Sequence, residues 1–147
     1  MKPQALLLAL LAAAPFAAAG SLKCNPKPVQ EGVPALYRCT YRNGSLAQAY
    51  AALRANRSGD EALRLNHPHL PPTLPARNFS HHGKDLIDYD GDGKNEAYPV
   101  SLTLRREGAN RVVVKYSHDS PASPYSRETL LQQRGRNVEI TIKDYAS

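Results

Sequence analysis

Apolar and polar positions alternate over residues 35–42 and again from residue 85 onward, which is the two-residue period of β-strands. In "ALYRCTYR" (35–42) Tyr37, Cys39 and Tyr41 fall on one face, and the aromatic content supports a strand packed against a core. Asn43-Gly44 then turns the chain, and Ser45 is placed to cap a helix in "SLAQAYAALRAN". Leu46, Ala49, Tyr50 and Leu53 recur at i, i+3, i+4 and i+7, so they share one helical face. "RSGDEALRLN" (57–66) admits either a second short helix or a strand.

Residues 66–84, "NHPHLPPTLPARNFSHHGK", carry Pro68, Pro71, Pro72 and Pro75 with no usable period, and predict an irregular connector. From residue 85 the pattern is β. "DLIDY" leads into an acidic loop, and "AYPVSLTLRRE" alternates Val100, Leu102 and Leu104 against polar residues. "EGAN" (107–110) turns and "RVVVKYS" returns. "ETLLQQ", the turn "RGRN" and "VEITIKDY" predict a last hairpin, although 126–133 also fits a helix. The expected fold class is α+β: a small antiparallel sheet packed with one helix.

The N-terminus changes the picture of where this domain works. Lys2 precedes "ALLLALLAAAPFAAAG", an apolar run that ends in the small-residue pattern Ala17-Ala18-Ala19. Residues 1–19 therefore read as a signal peptide, leaving 20–147 as one exported domain, periplasmic or secreted. Lys23 stands where a lipid-attachment cysteine would require a small residue. No later stretch approaches the ~18 apolar residues of a membrane span. "GSLKCNPKPVQEGVP" holds Pro26, Pro28 and Pro34 and reads as an extended lead-in. Cys24 and Cys39 are the two cysteines of the chain, and export makes them a structural disulfide. Their spacing is not the C-x-x-C of redox or metal thiol pairs.

The formal net charge is +6, with 19 Lys+Arg against 13 Asp+Glu. That surplus favours acidic partners, but the cations are scattered and form no block of five or six. Tyr37, Arg38, Tyr41 and Arg42 come nearest to a nucleic-acid surface, yet both tyrosines share the core-facing side of a strand. Nucleic acid is not the expected partner.

Against this basic background, "DLIDYDGDGKNEAYPV" (85–100) concentrates four carboxylates within nine residues. Asp88, Asp90 and Asp92 alternate, Gly93 follows, the Lys94 carbonyl comes seventh and Glu96 ninth. Ca²⁺ takes six to eight oxygens at flexible geometry, and alternate carboxylates on a bending chain can all reach one centre. Mg²⁺, with its rigid octahedron and retained waters, suits such a loop less. The first half resembles the D-x-D-x-D-G loop of EF-hand and dockerin domains. Pro99 stands at the twelfth position, where an EF-hand needs a bidentate Glu in an exiting helix, so a regular EF-hand is excluded. The stretch is more similar to the D-x-D-x-D-G-x-x-D loop of integrin-type FG-GAP repeats, with Glu96 in place of the last Asp. That resemblance implies a Ca²⁺ loop joining two strands, with Asp88, Asp90, Asp92, the Lys94 carbonyl and Glu96 as ligands. A single copy does not imply a propeller. The competing account is an ordinary turn, since Asp and Gly are turn residues; it leaves the repulsion among the acids unexplained.

Other chemistry is thinner. His67, His69, His81, His82 and His118 could ligate zinc or copper, but no cysteine is free and no H-E-x-x-H helix exists. There is no G-x-S-x-G elbow, and Ser117-His118-Asp119-Ser120 are adjacent rather than convergent, which argues against a triad. The reading is a non-enzymatic, exported Ca²⁺-binding domain with a structural or interaction role. Its alternative is an exported protein that binds or inhibits an acidic macromolecule or another exported protein through its basic surface, without a metal.

Overall fold

The computed structural model describes residues 20–88, 91–120 and 124–145. Residues 1–19, expected to be a signal peptide, and the loop residues Tyr89 and Asp90 lie outside the described residues. Seven strands form one sheet: β1 (Ser21–Cys24), β2 (Ala35–Arg42), β3 (Phe79–Ile87), β4 (Glu96–Arg106), β5 (Arg111–His118), β6 (Tyr125–Arg134) and β7 (Asn137–Asp144). Their order across the sheet is β1-β2-β7-β6-β5-β4-β3, and every neighbouring pair is antiparallel. The chain makes the β1–β2 hairpin at one edge, crosses to the far edge, and returns as a five-strand meander that closes against β2.

The crossing segment opens with helix α1 (Leu46–Ala55). Its N-terminus is a capping box. The Ser45 hydroxyl accepts the Gln48 N–H, and the Gln48 side chain accepts the Ser45 N–H. Leu46, Ala49, Tyr50 and Leu53 are buried, the four positions the helical period selects. They pack on the sheet face carrying Tyr37, Cys39, Tyr41, Leu104, Val112, Val114, Leu131, Val138, Ile140 and Ile142. Arg38, Arg42, Arg105, Lys115 and Glu139, at the alternate positions, stand exposed on the other face. Burying one face of an antiparallel sheet under a helix produces that alternation. Cys24 lies directly opposite Cys39 in the β1–β2 ladder, and the two form the expected disulfide.

Several expectations are refined. The described residues are mostly sheet, so α+β describes them only coarsely: among them one helix and a short 3₁₀ turn (Glu61–Leu63) sit against seven strands. The ambiguous 57–66 segment contains that 3₁₀ turn, which buries Ala62 and Leu63. Residues 126–133 are strand rather than helix. The irregular connector ends earlier than its composition suggests, because β3 begins at Phe79. β3 is an edge strand with one hydrogen-bonded neighbour, so much of "FSHHGKDLI" stays exposed and carries no apolar alternation. Among the described residues, no helix is long and apolar enough to cross a membrane.

Candidate metal centre

The acidic loop joins β3 to β4, with Ile87 and Glu96 paired across its base. Gly91 and Gly93 take left-handed φ values of 71° and 81°, which a side chain would resist, so the two glycines let the chain curl between flanking acids. Asp88 folds back over the loop, its Oδ2 accepting the Gly93 N–H at 3.1 Å. Asp92 Oδ1 accepts the Lys94 N–H at 2.8 Å, and Lys94 Nζ lies 3.8 Å from its other oxygen. Glu96, the first residue of β4, accepts the Tyr98 hydroxyl proton. Asp88, Asp92 and Glu96 are exposed, and the ligand atoms of the described three do not all fall within 4.8 Å of one another. The fourth acid, Asp90, is outside the described residues.

The five histidines are sorted by register rather than kept as a cluster. One row of directly opposed residues crosses the inner face of the sheet: His81, Leu102, Tyr116, Arg127 and Asp144. The next row holds Gly83, Val100, His118 and Tyr125. The proline-rich connector comes over this end of the sheet. His67 stacks on Tyr116, with ring centroids 4.1 Å apart and planes 16° from parallel. His69, two residues on, stacks on His81 at 3.8 Å and 16°. His118 stacks on Tyr125 at 5.3 Å. His82 lies at the opposite parity of β3, where its Nδ1 is 3.1 Å from the Ser101 hydroxyl.

A cavity of about 330 Å³ opens among Glu61, His67, Tyr116, His118, Tyr125 and Arg127. Its electrostatics follow from burial. Desolvation, then the Arg127 and Arg54 cations, pushes His67 down to about 4, so the ring is neutral at neutral pH. Burial also lowers His118 and raises Tyr125. It raises Tyr116 too, with the Asp85 charge adding to the effect. The guanidinium of Arg127 pairs with Asp144 at 3.2 Å, both side chains nearly enclosed, and lies 5.4 Å from the centre of the Tyr125 ring.

Asp85 carried no signal in the sequence beyond its charge. In the fold its Oδ1 sits 2.8 Å from Nε2 of His69, on the face of β3 that also carries His81. Its place on a strand face against a connector histidine becomes visible only once β3 is known to start at Phe79. Comparison with known proteins gives no relative to reason from: no family model, no curated protein and no solved structure matches the chain.

Proposed function

We propose that the chain is an exported domain that binds Ca²⁺ in its 88–96 loop, and that the ion orders the β3–β4 hairpin for a structural or interaction role. The observation that carries this reading is a D-x-D-x-D-G-x-x-E stretch lying between two paired antiparallel strands, with Asp88 and Asp92 already turned back over the loop. The disulfide supports the export part of the reading, since such bonds persist in oxidising compartments. The mechanism is electrostatic. Without the ion, neighbouring carboxylates repel, and Lys94 and loop N–H groups offset only part of that charge. With Ca²⁺ bound, Asp88, Asp90, Asp92, the Lys94 carbonyl and Glu96 supply hard oxygen ligands, and Glu96 exchanges its Tyr98 contact for the metal. Free energy of binding to the folded state adds to its stability.

The test is calorimetric titration of Ca²⁺ into chelator-treated protein, with the Asp90→Ala/Asp92→Ala double variant alongside. One saturable site and a rise in melting temperature are expected in the native protein, both absent in a folded variant. No heat and no thermal shift at millimolar Ca²⁺ would leave the loop as a turn.

A further inference from the structure

His69, His81 and Asp85 bring two imidazole nitrogens and a carboxylate oxygen within 4.8 Å of one another. Among the described residues this is where three such side chains converge. Two features make it more than a histidine–aspartate ion pair. Gly83 lies between His81 and Asp85 on the same face of β3, and its missing side chain lets the His81 ring lie along the strand. A Cβ at Gly83 would meet His81 Nε2 at 3.2 Å and Cε1 at 3.4 Å. Glycine inside a strand weakens it and commonly marks a close approach, here that of a ring reaching toward a carboxylate. Second, His69 arrives from the connector rather than from β3, 16 positions from Asp85, and is held there by its neighbours. His67 is buried on Tyr116, and the Leu70 N–H bonds the His67 carbonyl at 3.1 Å. The three groups therefore come from two independently anchored segments. The His69 and Asp85 side chains are 38% and 20% exposed, open enough for an ion to enter and sheltered enough for its charge to count.

We propose that His69, His81 and Asp85 form a binding site for a borderline divalent transition ion, Zn²⁺ in particular, distinct from the Ca²⁺ loop. The donor set decides the ion: nitrogen ligands suit Zn²⁺ and its neighbours, whereas Ca²⁺ requires oxygens. Zn²⁺ bound at about 2.0–2.1 Å from nitrogen holds its ligands roughly 3.3 Å apart when tetrahedral. His69 and Asp85 already stand closer than that, and His81 closes the set by side-chain rotation. The two rings leave their parallel stack as their lone pairs turn to one centre. Each ring must present a nitrogen lone pair to the ion and the carboxylate must be ionised, so protons compete with Zn²⁺ for the site. A fourth position remains for water or a partner's ligand.

The test uses the oxidised protein saturated with Ca²⁺, so that the acidic loop does not compete, and titrates Zn²⁺ by calorimetry. One ion per chain is expected. Outer-shell partners of a metal alone are worth roughly 10–100-fold in affinity, so losing a direct ligand costs at least as much. His81→Ala and Asp85→Asn should each weaken binding by about tenfold or more. His69→Gln, in the connector rather than the sheet, should do the same with the fold intact by circular dichroism. His82→Ala should bind as the native protein does. The Asp90→Ala/Asp92→Ala variant should keep Zn²⁺ while losing Ca²⁺, which separates this site from the loop. The inference is overturned by absence of saturable binding at millimolar Zn²⁺. It is equally overturned by binding that survives both His81→Ala and Asp85→Asn, or that depends on His82.

Discussion

His67 lies flat against Tyr116, and this contact joins the proline-rich connector to the centre of the sheet. The connector has no regular structure of its own over residues 66–78. It is held instead by Tyr116 beneath His67, by His81 beneath His69, and by the carbonyl of Pro71, which accepts the buried Tyr50 hydroxyl at 2.6 Å. The candidate transition-metal site and the cavity beside it both depend on these attachments.

The His67 contact makes stability depend on pH in a defined direction. Burial and two arginines hold the folded ring at about 4, against 6.5 for an ordinary histidine. As pH falls from 6.5 toward 4, the unfolded chain accepts a proton that the folded protein refuses. The stabilisation is therefore complete above about pH 6.5, is lost as pH falls to 4, and changes no further below that. Its size is about 3 kcal/mol, from 1.36 kcal/mol per pK unit. His67→Phe keeps a ring on Tyr116 without the proton, so the urea-unfolding free energies of native and variant should diverge across this window, the native protein losing more. Parallel pH profiles would show that His67 does not carry the effect.

Gly83→Ala tests the close approach of His81. The glycine has ordinary strand backbone, so alanine is sterically allowed there and should alter stability by less than about 1 kcal/mol. The new Cβ displaces the His81 ring by a few tenths of an ångström. Zn²⁺ affinity measured by calorimetry should drop several-fold while the melting temperature hardly moves. Unchanged affinity would mean that the ring position does not govern the site.

Tyr50→Phe removes the one hydroxyl that links α1 to the connector. The Pro71 carbonyl loses its partner, at a cost of roughly 1–2 kcal/mol. The melting temperature should fall by a few degrees, and limited proteolysis within 66–78 should accelerate. Proteolysis at the native rate would show that the remaining contacts suffice to hold the segment.

Elements with a side-chain period could be read directly from the chain. The strand at 35–42, the capped helix at 46–55 and the hairpins around 107–110 and 134–137 all follow from local spacing, because amphipathic burial imposes it. The disulfide followed from the cysteine count and the expectation of export, and the acidic loop from the spacing of its carboxylates. β3 was harder. As a half-exposed edge strand, it has no need of alternating apolar residues, and its histidines and glycine read as irregular.

The inner-face rows were out of reach for a different reason. His81, Tyr116, Arg127 and Asp144 become neighbours through strand register, and each lies on a different strand. Register is set by the whole meander closing on β2, a set of pairings between residues far apart in the chain. The "HPH" and "HH" pairs look like clusters along the sequence, yet successive strand residues point to opposite faces, so His81 and His82 part company. Local chemistry chose the residues, and long-range pairing placed His69 and His81 with Asp85 and put His67 on Tyr116.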